Sequence, residues 1–356
     1  MIVALTPPPF TRLLTRAAAA AAVVCLAPMP AQQRGDRLLV CNRAEDTVSI
    51  FDPITGGAVA TLATGPAPNE VAVSPDGCTA VVTNSRSGVG GRRGADLTVV
   101  DVVAARVRSQ VQLAGPEAAP LQLHGVTFAP DGRVLASSAA TGRTLALDRS
   151  ARRELAAWRL GRGPTRLIAL SPDGSWAAAT HPREGAVTFC DLEGLEDRRA
   201  PAWQRSVEVG PGAEGIDIHP ETQHAWVASR GDDCLRVIAA TTGEVVACFD
   251  TGRAPLRVAF TRRGDRALVT CVLGGELMIF DAAQPALLAE VSIHGDRSEQ
   301  SSLPLDVVSD PDGRRAYVTC ARGEFVAVID LQRAALIDRI DARRGPDGLA
   351  YARPDR

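Results

Sequence analysis

From Arg37 to the C-terminus, short runs alternate apolar and polar residues, and the runs recur in one order. Val126-Thr127-Phe128, Val134 to Ser138, Thr144 to Leu147 and Leu155 to Leu160 form one such set. Each has the period of two that a half-buried antiparallel strand requires. Between the first two runs stands Ala129-Pro130-Asp131-Gly132. There proline presets φ and Asp-Gly supplies the tight reversal. The third run ends in Asp148. The same turn recurs as Ser74-Pro75-Asp76-Gly77, Ser171-Pro172-Asp173-Gly174 and Asp310-Pro311-Asp312-Gly313. Weaker copies are His219-Pro220-Glu221, Thr261-Arg262-Arg263-Gly264 and Arg353-Pro354-Asp355, at intervals of 42 to 55 residues. Seven repeats of this period, built from short strands, predict an all-β fold. The expected architecture is a seven-bladed β-propeller with four-stranded antiparallel blades.

The two ends complete the count. Arg37-Leu38-Leu39-Val40 matches the second strand of a unit, with no first strand before it. Gly345 to Tyr351 matches a first strand with no blade after it. The C-terminal strand is therefore expected to pair with the N-terminal blade. Such closure removes the sheet edges that an open array exposes. One domain, residues 32–356, is expected.

Tyr317-Val318-Thr319-Cys320 and Ala327-Val328-Ile329-Asp330, with Val81-Val82-Thr83-Asn84, Leu268-Val269-Thr270-Cys271 and Gly252-Arg253-Ala254-Pro255, carry a resemblance. The repeat resembles that of the YVTN family of seven-bladed propellers, common among exported bacterial proteins. The resemblance spans about residues 37 to 354. Its Asn position holds Asn42 and Asn84 but becomes Ser138, His181, Ser229, Cys271 and Cys320 elsewhere. It implies a fold and leaves the ligand open.

Six third strands end in Asp52, Asp101, Asp148, Asp191, Asp281 and Asp330, and the fifth unit has Ala239 there. A catalytic residue has no reason to repeat around a ring, so these are read as turn caps. The informative positions are those that break the repeat. The loop into each inner strand and the loop after each second strand share one end of the channel. Leading into the inner strands stand Asn69 and Glu70, then His124, Arg166, Glu214, Arg257, Asp306 and Asp347. These polar residues, from different blades, are the candidate ligand site. As loop residues, His124 and Arg257 are expected to bear on binding and little on stability. Insertions at Ser85 to Ala95, with Arg86, Arg92 and Arg93, and at Ser298 to Pro304, with Glu299 and Gln300, decorate the same face. Glu193 to Gln204 is placed on the opposite face.

Composition removes several alternatives. All 39 basic residues are arginine, so lysine-dependent chemistry is excluded. A formal net charge of −2 gives no reason to expect nucleic acid as a partner. Arg12 and Arg16, the apolar run Ala17 to Ala27 and Met29-Pro30-Ala31 read as a signal peptide over residues 1–31. Export to the periplasm or the outside is expected, with a retained anchor as the alternative. The seven cysteines beyond it form no CxxC or CxxCH, so no zinc knuckle or covalent haem is indicated. Most are read as small buried hydrophobes. His124 and His181, with Glu70 or Glu214, are the residues from which a His/carboxylate metal set would be drawn. His219 and His224 flank a turn on the far face. No G-x-S-x-G elbow occurs.

Two functional readings result. The first is an exported, monomeric scaffold binding a protein, peptide or glycan at the channel mouth, with no cofactor and no catalytic residue. The second is an enzyme similar to the lactonase-like seven-bladed propellers, which hydrolyse sugar-type lactones at the channel mouth. That resemblance assigns the work to Glu70, His124, Glu214 and Arg257.

Overall fold

The structure is a computed structural model that describes residues 35–85, 96–113, 121–161, 163–193, 201–294 and 301–355. The segment read as an export signal, the loop arginines Arg86, Arg92 and Arg93, and Glu299 and Gln300 lie outside these residues, as does most of the Glu193 to Gln204 insertion.

Among the described residues, 28 strands form seven four-stranded antiparallel sheets, and no helix occurs. Consecutive inner strands touch all the way round, from Pro68–Val73 through to Pro346–Ala352 and back to Pro68–Val73. The chain is a seven-bladed β-propeller. Blade one is composite: its strands run Pro346–Ala352, Arg37–Asn42, Thr47–Phe51 and Ala58–Ala63. Leu38 lies opposite Tyr351 and Leu39 opposite Ala350 across the closing pair. The closure is also clasped by side chains. The Tyr351 hydroxyl donates to Asp36 Oδ2 at 2.6 Å. Arg353 pairs with Asp36 at 2.8 Å and with Asp312 at 3.1 Å.

The period of two places the core between blades. Every residue of Arg37–Asn42 and Leu97–Asp101 is buried, whereas the outer strand Ala58–Ala63 exposes alternate residues. One face of blade one packs Leu38, Val40 and Phe51 against Tyr317, Val326 and Val328 of blade seven. Its other face packs Leu39, Val48 and Ile50 against Val71, Val82 and Val100 of blade two. Each such aliphatic side chain contributes roughly 1.5–3 kcal/mol through burial.

The turns follow their residue chemistry. All six strand-end aspartates cap: Asp52 Oδ1 accepts the Ile54 N–H at 2.8 Å, and Asp101, Asp148, Asp191, Asp281 and Asp330 accept equivalent N–H groups at 2.8–3.3 Å. At the first-to-second-strand reversal, Gly77 and Gly174 adopt φ near +70°, where L side chains are strained. Blade five lacks that glycine. There His219 Nδ1 accepts the N–H groups of Glu221 and Thr222, each at 3.1 Å. His219 thus caps its own turn.

Cys41, Cys190, Cys271 and Cys320 are buried thiols and Cys78 is half-buried. Cys234 and Cys248 form a disulfide within blade five, with Cα atoms 6.6 Å apart. They sit one diagonal apart on paired strands, since Cys234 faces Asp250 and Arg236 faces Cys248.

Candidate functional site

The site begins with a break in pairing. The inner strands of blades two, three, five, six and seven shift register between Pro68 and Val71, Leu123 and Val126, Ala213 and Ile216, Pro255 and Arg257, and Pro304 and Val307. A bulge re-aims the side chains it contains. Here the bulges contain Asn69, Glu70, His124, Glu214 and Asp306, and Arg257 directly follows one; all six line one end of the channel.

The second strands hold these bulges in place. Thr83 Oγ1 accepts the Glu70 N–H at 3.2 Å and donates to the His124 carbonyl of the next blade at 2.6 Å. Thr180 joins the Leu167 N–H to the Glu214 carbonyl, at 3.1 and 2.9 Å. Thr270 joins the Arg257 N–H to the Leu305 carbonyl, at 3.1 and 3.0 Å. Thr319 joins the Asp306 N–H to the Asp347 carbonyl, at 3.0 and 2.7 Å. Ser137 does the same between the Gly125 N–H, at 2.9 Å, and the Arg166 carbonyl, at 2.5 Å. The threonine of the Y-V-T-N-like repeat is therefore a clip between blades. Cys41 and Ala228 stand at that position in blades one and five. Gly125 has a packing role as well: a Cβ there would lie 2.7 Å from the Arg166 carbonyl oxygen.

All eight residues singled out in the sequence line one cavity of about 260 Å³ at the channel mouth. His181 does not line it; its Nδ1 lies 3.4 Å from the Pro164 carbonyl oxygen. The His124–His181 pairing is thus not assembled. Among the described residues no group of three or more His, Cys, Asp or Glu side chains is placed to hold a metal ion. Sequence reasoning missed Arg43 and Arg230, and the apolar lining residues Leu167, Leu256, Val272 and Leu305. Arg43, Arg230 and Val272 each directly follow the Asn position of the repeat, in Asn42-Arg43, Ser229-Arg230 and Cys271-Val272. That fixed offset was a readable signal, since the loop after each second strand faces the mouth.

Charged groups in the cavity are paired, some across blades and some within one. Arg257 binds Asp306 in two places, Nε to Oδ1 at 2.5 Å and Nη2 to Oδ2 at 2.8 Å, and also contacts the Glu70 carboxylate. Asp306 Oδ2 accepts the Leu349 N–H at 2.8 Å. Arg43 pairs with Asp347 at 3.0 Å and reaches Asn69 Oδ1. Glu214 receives two guanidiniums: Arg166 Nε lies 3.0 Å from Oε2, and Arg230 Nη1 lies 3.3 Å from Oε1.

Burial shapes the protonation of this cluster. It pushes the Glu70 carboxyl up to about 8, with Arg257 pulling down and Asp306 and Asp347 adding to the rise. Burial likewise raises the Asp347 carboxyl, against the pull of Arg43. It holds His124 well below the ordinary imidazole range, and the charges of Arg166, Arg257 and Arg43 act in the same direction. His124 is therefore neutral at pH 7. Arg257 stays charged despite its burial, because Asp306 and Glu70 more than offset the desolvation.

Some donors and acceptors are left over. Asn69 Nδ2 and His124 Nδ1 are buried without a hydrogen-bond partner. Arg166 Nε faces Glu214 but is not aligned for a hydrogen bond with it. A buried polar group left unmade costs about 1–3 kcal/mol. The arrangement can hold a small, multiply hydrogen-bonding polar group.

No protein-family model and no curated protein matches the chain. Among solved structures, a functionally unknown protein from Desulfotomaculum acetoxidans DSM 771 is similar. It aligns with a TM-score of 0.74 at 13% identity, over 90% of this chain and 99% of that one. Identity that low carries the fold alone.

Proposed function

We propose that this chain is an exported, YVTN-like propeller scaffold that binds a polar ligand, a peptide or glycan segment, in the channel mouth. One observation carries the reading: Asn69 Nδ2 and His124 Nδ1, from neighbouring blades, are buried beside one cavity with no partner. A ligand supplying hydrogen-bond acceptors there gives both groups the partners that the protein does not. The cavity, at about 260 Å³, fits a single residue or sugar unit rather than a folded domain. The test is a glycan and peptide array probed with the wild-type protein and with Leu256→Trp, which fills the cavity. Capture that disappears in Leu256→Trp, with the melting transition retained, supports the reading. Capture that survives in Leu256→Trp places the ligand elsewhere and refutes it.

A second reading has one observation in its favour. The Glu70 carboxyl, at about 8 beside Arg257, is poised near neutral pH as a general acid or base. Hydrolysis of a sugar-type lactone at Glu70, His124, Glu214 and Arg257 is the corresponding reaction. Turnover on a lactone panel, lost in Glu70→Gln, would favour it over simple binding.

A further inference from the structure

We propose that the chemical group captured at the mouth is a carboxylate, seated between Arg166 and Arg230 with His124 beside it; this rests on the mouth being a ligand site.

The cavity's charges are not evenly distributed. Glu214 is one carboxylate facing two guanidiniums. Among the described residues neither Arg166 nor Arg230 has another side-chain partner, so this stretch of wall carries an excess positive charge. The excess also faces outward. The Glu214 side chain is 8% exposed, whereas Arg166 and Arg230 are 39% and 48% exposed. The acid is sunk behind the two bases, which hold the more exposed positions at the mouth. Each guanidinium carries five donors in a planar fork that matches a carboxylate.

The rest of the rim offers no comparable site. Arg257 is engaged by Asp306 and Glu70, and Arg43 by Asp347 and Asn69. With burial keeping Glu70 at about 8, the Arg257 group carries no excess negative charge at neutral pH to repel an anion. His124 adds an uncharged donor beside this positive stretch. The N–H of the next residue, Gly125, donates to the Arg166 carbonyl at 3.0 Å, and the His124 and Arg166 side chains line the same cavity. Its unpartnered Nδ1, as the protonated tautomer, is a neutral donor for a second ligand oxygen.

A carboxylate of this kind belongs either to an acidic sugar or to a peptide. Calorimetry or ligand-observed NMR with two matched pairs separates the sources: glucuronate against glucose, and N-acetylglycine against its amide. The acid of at least one pair is expected to bind about tenfold or more tightly than its neutral partner, as charge-assisted hydrogen bonds provide. Added salt should weaken it. Arg230→Gln, at an exposed position that does not threaten folding, should remove most of that preference, and Arg166→Gln likewise. Equal binding of acid and neutral forms, no binding of either acid at millimolar concentration, or an undiminished preference in both variants overturns the proposal. A neutral glycan or amide that binds and is lost in Leu256→Trp would remove the carboxylate while keeping the mouth as a ligand site. Failure of every array ligand would remove the site itself.

Discussion

Arg257 and Glu70 stand 187 residues apart in the chain and meet across the channel mouth. Arg257 belongs to blade six and Glu70 to blade two. The same guanidinium grips Asp306 of blade seven, which accepts the Leu349 N–H of the closing strand. Four blades are thereby tied to one cation. The expectation that Arg257 bears on binding and little on stability takes no account of this pairing, which predicts the opposite. The physical reason is burial: a charge removed from water must be paired, and its pair then depends on it.

Arg257→Gln should therefore destabilise strongly. It leaves Glu70 and Asp306 close together without their shared cation, at a cost of about 3–5 kcal/mol, typical of breaking a buried pair from one side. Urea denaturation measures this. A midpoint within error of wild type would show that the network is not a stabilising element.

Glu70 gives a signed pH effect. Its carboxyl is raised to about 8 in the fold, so the native state holds a proton that the unfolded chain releases at ordinary carboxylate pH. That contribution is complete at acid pH and is lost as the pH rises through 8, with a limiting slope of about 1.4 kcal/mol per pH unit. Asp347 acts in the same direction, whereas neutral His124 contributes above the ordinary imidazole range. Comparison with Glu70→Gln isolates the contribution of this carboxyl. The variant's melting temperature should rise relative to wild type between pH 5 and pH 9, and a constant difference contradicts the assignment.

The interblade clips predict a position-specific loss. Thr319→Val removes the group that joins the Asp306 N–H to the Asp347 carbonyl. Leaving these buried groups unpaired should cost about 1–3 kcal/mol. Ala228→Thr, which introduces the hydroxyl where blade five lacks it, should cost nothing or stabilise. Paired denaturation curves decide, and a neutral Thr319→Val rejects the clip.

The strand-end caps should matter to folding alone. Asp148 Oδ1 accepts the N–H groups of Arg152 and Arg153. Asp148→Ala should cost about 0.5–2 kcal/mol, by analogy with other side-chain caps. Loss of ligand capture with an unchanged melting temperature would reverse this reading.

Deleting Gly345 to Arg356 tests the ring. It strips the inner strand from blade one and exposes the edge of Arg37–Asn42. Insoluble or molten protein is expected, and an unchanged cooperative melt contradicts closure by Pro346–Ala352.

The sequence by itself determined the blade. Alternation of apolar and polar residues, the Pro-Asp-Gly turns and the strand-end aspartates are local devices, and each acts within a few residues of itself. The orphan first strand at Gly345 to Tyr351 even announced the closure, because an unpaired edge must find a partner. The eight mouth positions were legible for a related reason: they fall at one or the other of two adjacent places at the start of each inner strand. What only the tertiary structure decided is how their charges combine. Arg257 meets Glu70 rather than Glu214, and Glu214 takes Arg166 and Arg230. The Arg257–Glu70 and Arg166–Glu214 pairings depend on ring order and on how each inner strand aims its side chains at the mouth, and no local pattern encodes either. The shift of Glu70 to about 8 is decided there as well. It arises from desolvation, and desolvation exists only after seven blades have enclosed the mouth.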